Sequence, residues 1–146
     1  MTPAKRLSAA EAQERAARAA RLLAEDPRIV LVYLFGSAAG GGSDLVRDVD
    51  LAVFTDPPWS LTDLVRQRAR LVGAVAAPLD LVSLNDASTV LAHEVVETGQ
   101  CLYARSPEAE TAFVTRSRAR HWDFKPYRDA QWRLAGERLA ERWRGP

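Results

Sequence analysis

Gly36-Ser37, followed after ten residues by Asp48-Val49-Asp50, is the stretch of this chain whose residue types could do chemistry. Two aspartates at i and i+2 on a strand project to one face and can share a divalent metal ion. A glycine lets an anion approach the backbone N–H groups closely because it has no Cβ, and the serine adds an N–H and a hydroxyl. A grip for phosphate beside a grip for metal, in one short unit, suits nucleotide chemistry. A third carboxylate on a neighbouring strand would admit a second metal about 3.5–4 Å away, able to stabilise both oxygens of an in-line displacement. Asp80 is the candidate, with Leu79 and Leu81 on the opposite face of its strand. It could also take the proton of an attacking hydroxyl as general base.

Those residues need elements to position them. Ile29 to Phe35 is an uninterrupted apolar run that reads as a buried strand, broken by Gly36. Ser37 to Ala39 suits a short helical start, and Gly40 to Ser43 a flexible loop, with Asp44 as a loop acid. Val49, Leu51 and Val53 alternate with Asp48, Asp50 and Ala52, the period of a strand with one apolar and one acidic side. LDLVSL, residues 79–84, reads as a third strand and Cys101 to Ala104 as a short last one. Helices are expected over about 8–25, opened by a Ser8/Glu11 capping box, and after Ser60/Asp63, with Leu64, Val65, Leu71, Val72 and Val75 inward and Pro78 as the stop. A further helix opens at Asn85-Asp86, turns Val90, Leu91 and Val95 inward, and is capped by Gly99. Ser106-Pro107-Glu108 starts another that runs to about His121. Pro126 then separates it from a final helix over roughly 127–143, with Tyr127, Ala130, Leu134, Leu139 and Trp143 as inward candidates. The expected fold class is α/β (α+β): a small mixed sheet flanked by helices, with two C-terminal helices.

The chain has 146 residues, enough for a single domain over 1–146, with about 105–146 as a C-terminal helical extension. A formal net charge of +1 advertises neither a nucleic-acid nor a membrane partner. Cys101 is the single cysteine, so an intrachain disulfide and a cysteine-based zinc site are both excluded, and a reducing, cytoplasmic setting is expected. Glu11, Glu14, Arg15, Arg18 and Arg21 stud the first helix, which is therefore neither a signal peptide nor a membrane span. Trp122, Trp132 and Trp143 stand among many arginines, yet Glu108, Glu110, Asp123, Asp129, Glu137 and Glu141 interleave them. That pattern favours packing and protein contact over direct nucleic-acid binding. His93 reads as a rim histidine, His121 as a residue near a helix end, and Cys101 as a small packed hydrophobe.

GS-x10-DxD followed by an apolar strand, with the later strand P-L-D-L-V, resembles the nucleotidyltransferase superfamily that includes DNA polymerase beta, and the chain's length resembles its minimal branch. The segments HEVVETGQCLYARSPEAETAF and HWDFKPYRDAQWRLAGERL resemble the antitoxins of minimal-nucleotidyltransferase/HEPN toxin–antitoxin modules. The resemblance implies transfer of AMP from ATP to a tyrosine of a HEPN ribonuclease toxin, which neutralises it. Carried over by position, Gly36 and Ser37 bind phosphate, and Asp48, Asp50 and Asp80 hold Mg²⁺, with two metals, as the catalytic carboxylates. The implied partners are ATP and the toxin. Two positions depart from many relatives: Ala38 where an arginine often follows Gly-Ser, and Arg47 where serine or threonine often precedes the first aspartate. Both bear more on nucleotide affinity than on metal binding. The rival readings are an antitoxin with a silent site that acts by contact alone, and a transferase for small molecules such as aminoglycosides. The second rival needs extra structure to hold its acceptor. A nucleotide sensor without turnover is a third.

Overall fold

The computed structural model describes residues 6–39 and 48–143, and the expectations for Gly40–Ser43, Asp44 and Arg47 fall outside them. Helix α1 (Ala9–Leu23) carries the expected capping box: the Glu11 N–H donates to Ser8 Oγ, and the Ser8 N–H to the Glu11 carboxylate. Its buried face is four alanines and Leu23, small enough for the helix to lie close to the sheet. Strand β1 (Ile29–Phe35) ends at a single 3-10 turn over Gly36–Ala38. Then come β2 (Val49–Thr55), α2 (Leu61–Val75), β3 (Leu79–Ser83), α3 (Thr89–Thr98), β4 (Gln100–Ala104) and α4 (Pro107–Trp143).

The four strands form one mixed sheet in the order β3-β2-β1-β4. β1 lies antiparallel to both β2 and β4, whereas β2 and β3 are parallel and joined by α2. The period-2 alternation of β2 is what gives the sheet two faces. Val49, Leu51 and Val53 pack with Val32, Leu34, Leu79 and Leu81 under α1 and α2. Ala52 and Phe54 point the other way and pack with Leu31, Tyr33, Leu84 and Phe113 under α3 and α4. Cys101 is half-buried in this second cluster, as a small hydrophobe would be.

Several local readings need correction. α2 stops at Ala76 in a left-handed conformation (φ 51°), two residues before Pro78. Only Leu71 and Val75 of its expected inward face are buried, and Val65 and Val72 are exposed. α3 is capped by Ser88, not opened by Asn85-Asp86. Asn85 instead ties the end of β3 to β2: its carbonyl accepts from the Thr55 N–H (3.0 Å) and hydroxyl (3.2 Å), and its amide donates to the Thr55 carbonyl (2.7 Å). Val90 is exposed, while Val95 is buried. The C-terminal segment is one helix with Pro126 inside it, not two. The helix is solvent-exposed one turn before the proline, at Trp122, where a missing backbone N–H costs least. Tyr127, Leu134 and Leu139 face outward, not inward. The Trp143 side chain is outside the described set. His121 sits in the middle of this helix, not near its end, and stacks on His93 with ring centres 3.5 Å apart. Among the described residues, no helix is long and apolar enough to cross a membrane.

Candidate active site

The face of the sheet under α3 and α4 is not fully covered. At its open edge, where β1 ends and β2 and β3 begin, lie the acids. Asp50 pairs across β2 and β3 with Asp80, and across β2 and β1 with Phe35, the residue before Gly36. In-register neighbours on parallel strands share a face, so the two carboxylates stand side by side next to the glycine turn. Asp48 lies just before β2, two residues back, and is exposed.

Gly36 is glycine for two reasons. Its φ is +74°, a region in which an L side chain is strained. A Cβ built on it would also sit 2.5 Å from Asp50 Oδ2, so only a bare backbone allows the turn to approach this carboxylate. Ser37 is exposed beside it. Ala38 turns inward, almost fully buried in the core under α1. The position after Gly-Ser therefore does a packing job in this chain and offers no side chain to a phosphate.

The electrostatics of the cluster are lopsided. Burial, with repulsion from Asp80 and then Asp48, pushes the Asp50 carboxyl above its ordinary value. Among the described residues no cation pairs with Asp50. The basic group nearby is Arg68 of α2, absent from the sequence reading. Its Nε donates to the Leu79 carbonyl at 3.2 Å and lies 3.6 Å from Asp80 Oδ1, both side chains being largely exposed. No spacing pattern in the sequence links residue 68 to residue 80. The contact arises because α2 crosses back over the start of β3. Asp48, Arg68, Pro78 and Asp80 line a shallow open depression here.

Among the described residues, no three His, Cys, Asp or Glu side chains converge closely enough to form a ready-made metal cage. The donor set nevertheless fits a hard divalent ion: carboxylate oxygens only, one of them partly desolvated and lacking a counter-charge. Asp50, in register with Asp80 and two residues after Asp48, could hold such an ion.

A mixed four-stranded sheet with this turn and these acids at one edge defines the nucleotidyltransferase class. A family model described as polymerase beta, nucleotidyltransferase, matches residues 18–108, and the chain belongs to that family. It is similar to the protein adenylyltransferase MntA of Shewanella oneidensis, with 35% identity over 86 residues, covering 58% of this chain and 60% of that protein. The match thus spans less than two thirds of the relative's length. Among solved structures, it resembles a chain of the tri-AMPylated Shewanella oneidensis HEPN toxin in complex with MNT antitoxin, with TM-score 0.71 and 26% identity, over 85% of this chain and 98% of that one. It also resembles a chain of a toxin–antitoxin structure with AMP-PNP, with TM-score 0.73 and 26% identity, over 82% of this chain and 97% of that one.

Proposed function

We propose that this protein is a Mg²⁺-dependent adenylyltransferase antitoxin that transfers AMP from ATP to a tyrosine of a HEPN-type toxin and so neutralises it. The observation that carries the reading is the pairing of Asp50 with Asp80 across adjacent strands, against a turn that only glycine can make. The similarity to MntA and to an antitoxin bound to an AMPylated toxin supports the choice of acceptor.

In this reading Gly36 and Ser37 hold the triphosphate by backbone N–H groups and the serine hydroxyl. Asp50, Asp48 and Asp80 would hold the metal, which when bound neutralises charge on the phosphates and on the oxygens entering and leaving. The tyrosine oxygen attacks the α-phosphorus, the bond to the β-phosphate oxygen breaks, and pyrophosphate departs. Asp80, exposed on the edge strand, takes the tyrosine proton. Arg68 beside it is placed to pair with phosphate oxygens once Asp80 is engaged elsewhere. Positioning and charge neutralisation supply most of the rate in such transfers.

Co-expression with a cognate HEPN toxin, followed by intact-mass measurement, tests the transfer. The toxin should gain about 329 Da for each AMP. A toxin neutralised without any mass gain would show that contact alone does the work.

A further inference from the structure

We infer that the opposite end of the same sheet face carries a second binding site, for a small organic anion: a carboxylate or phosphate ester on a compact apolar body. A cavity of about 130 Å³ lies there, between the ends of β2 and β3 and the helices α3 and α4. Phe54, Leu84 and Phe113 form its apolar part, and Thr89, Ser117 and Arg116 its polar part, with Arg120 also on its wall. No Asp or Glu lines it.

The arginines are arranged to be used. The Phe54 and Phe113 rings pack at 5.1 Å, and the Arg116 guanidinium lies over both, 5.4 Å from one centre and 5.8 Å from the other. A guanidinium held by its flat face keeps its N–H edge free, and that edge matches the two oxygens of a carboxylate or phosphate. Arg116 and Arg120 are exposed at the mouth of the cavity, and neither forms an ion pair or hydrogen bond with another described residue, so no acid competes for them. Ser117, only 6% exposed, lines the cavity, and among the described residues its hydroxyl has no hydrogen-bond partner. The Ser117 hydroxyl and two cations without acidic partners, set around an aromatic floor, make a receptor suited to an anion.

Size and place narrow the ligand. A cavity of about 150 Å³ lined by apolar groups accepts a benzene ring, so this one admits a body of phenyl or branched-aliphatic size and excludes a nucleotide. Phe54 follows Asp50 by four residues on the same face, roughly 13 Å along the strand, so this site is distinct from the acidic edge. With no carboxylate on its walls, the site offers a divalent metal no charged ligand, and the anion is expected to bind without one.

The full chain, kept in EDTA, is titrated by calorimetry with phenyl phosphate, with benzoate and with benzyl alcohol as a neutral match. At least one anion should bind saturably with a dissociation constant of about 1 mM or tighter. Benzyl alcohol should bind at least about tenfold more weakly. Preference for benzoate marks a carboxylate ligand, such as an acidic side chain or a metabolite acid, and preference for phenyl phosphate marks a phosphate ester. The Arg116→Ala/Arg120→Ala pair should weaken the anion at least about tenfold. Arg120→Glu, which leaves the ring stack alone, should do the same. Absence of saturation by both anions, equal binding of benzyl alcohol, or unchanged binding in Arg120→Glu would overturn the assignment.

Discussion

The two ends of one sheet face treat charge in opposite ways. At the β2 start, Asp50 stands beside Asp80 with Asp48 two residues back, and burial and its two neighbours push the Asp50 carboxyl above its ordinary value. Four residues further along the same strand, Phe54 and Phe113 carry an arginine on their rings and the wall holds no acid at all. Between them Ala52 and Val82 are ordinary packing residues. A third acid shows what a structural carboxylate looks like here. Asp26 is lowered from its ordinary value, chiefly by hydrogen bonds from Arg28, whose guanidinium lies 2.9 Å away. Asp26 is thus held charged by a guanidinium partner, whereas Asp50 and Arg116 have no oppositely charged partner among the described residues.

The largest expected effect comes from breaking the acidic end. Asp50→Asn should cut AMP transfer by at least about 100-fold, read by the rate of mass gain on the toxin. The same change should stabilise the metal-free protein at neutral pH. The folded-state value of Asp50 lies above its unfolded one, so the folded chain binds this proton more tightly. That contribution is complete below the ordinary carboxylate value near pH 4 and is lost as pH rises through the raised value. The asparagine variant should therefore melt higher than the parent above that window and no higher below about pH 4, in EDTA. Asp26 has the opposite sign: its contribution is present above the ordinary value and disappears as pH falls. Asp26→Asn should melt lower at pH 7 and converge on the parent in acid. If Asp50→Asn behaved like Asp26→Asn, the contrast between the two kinds of acid would fail. Mg²⁺ should raise the melting temperature of the parent and leave Asp50→Asn nearly unmoved.

Gly36→Ala comes next. The left-handed backbone and the close approach of Asp50 act together, so a cost of about 1–3 kcal/mol is expected in chemical denaturation. Transfer should fall further than stability does, because the turn and the carboxylate must separate to admit the methyl group. An alanine variant with unchanged denaturation midpoint and rate would show that the turn does not need its bare backbone.

Asn85 belongs to the opposite end and should separate stability from chemistry. Its amide group serves the N–H, hydroxyl and carbonyl of Thr55, which is almost fully buried. Asn85→Ala strips those partners at once and should cost about 1–3 kcal/mol. Transfer per folded molecule should stay close to the parent's. A large loss of rate at constant folded fraction would mean that the two ends are coupled through β2 and β3.

What the sequence could convey follows from how local each signal is. β1 is legible to its last residue because a continuous apolar run is closed by Asp26-Pro27 and Gly36. The acidic alternation of β2 and the lone acid of β3 are equally plain, and the Ser8/Glu11 capping box and the Ser60 cap are both present. Asn85 reads as a helix opening in the sequence because a turn-forming amide looks the same whether it opens a helix or bridges two strands. Only the distance to Thr55, 30 positions away, decides it. Arg68 and the Arg116 ring stack are invisible for the same reason, since each depends on which elements cross. Pro126 misled because the rule against helix-interior proline assumes a carbonyl with no other partner, which fails on a solvent-exposed helix. The exposed second half of α4 misled because apolar side chains at helical spacing were assumed to face this domain's own core.

That outward half of α4 supplies the smallest expected effect. Trp132 is 72% exposed, so Trp132→Ala removes almost no buried surface within the chain. The denaturation midpoint should therefore shift by no more than about 0.5 kcal/mol. A tryptophan left in water on a long projecting helix has a cost with no internal return, and Leu139 on the same helix is 59% exposed. If the helix docks on the toxin in the proposed complex, the same substitution should weaken that complex by about 1–2 kcal/mol or more, as anchors of this type do. It should leave the AMP transfer rate at saturating toxin unchanged. Loss of affinity with an intact maximal rate would assign recognition to α4 and chemistry to the acidic edge. An unchanged affinity would leave all of the recognition to the sheet face and its two oppositely charged ends.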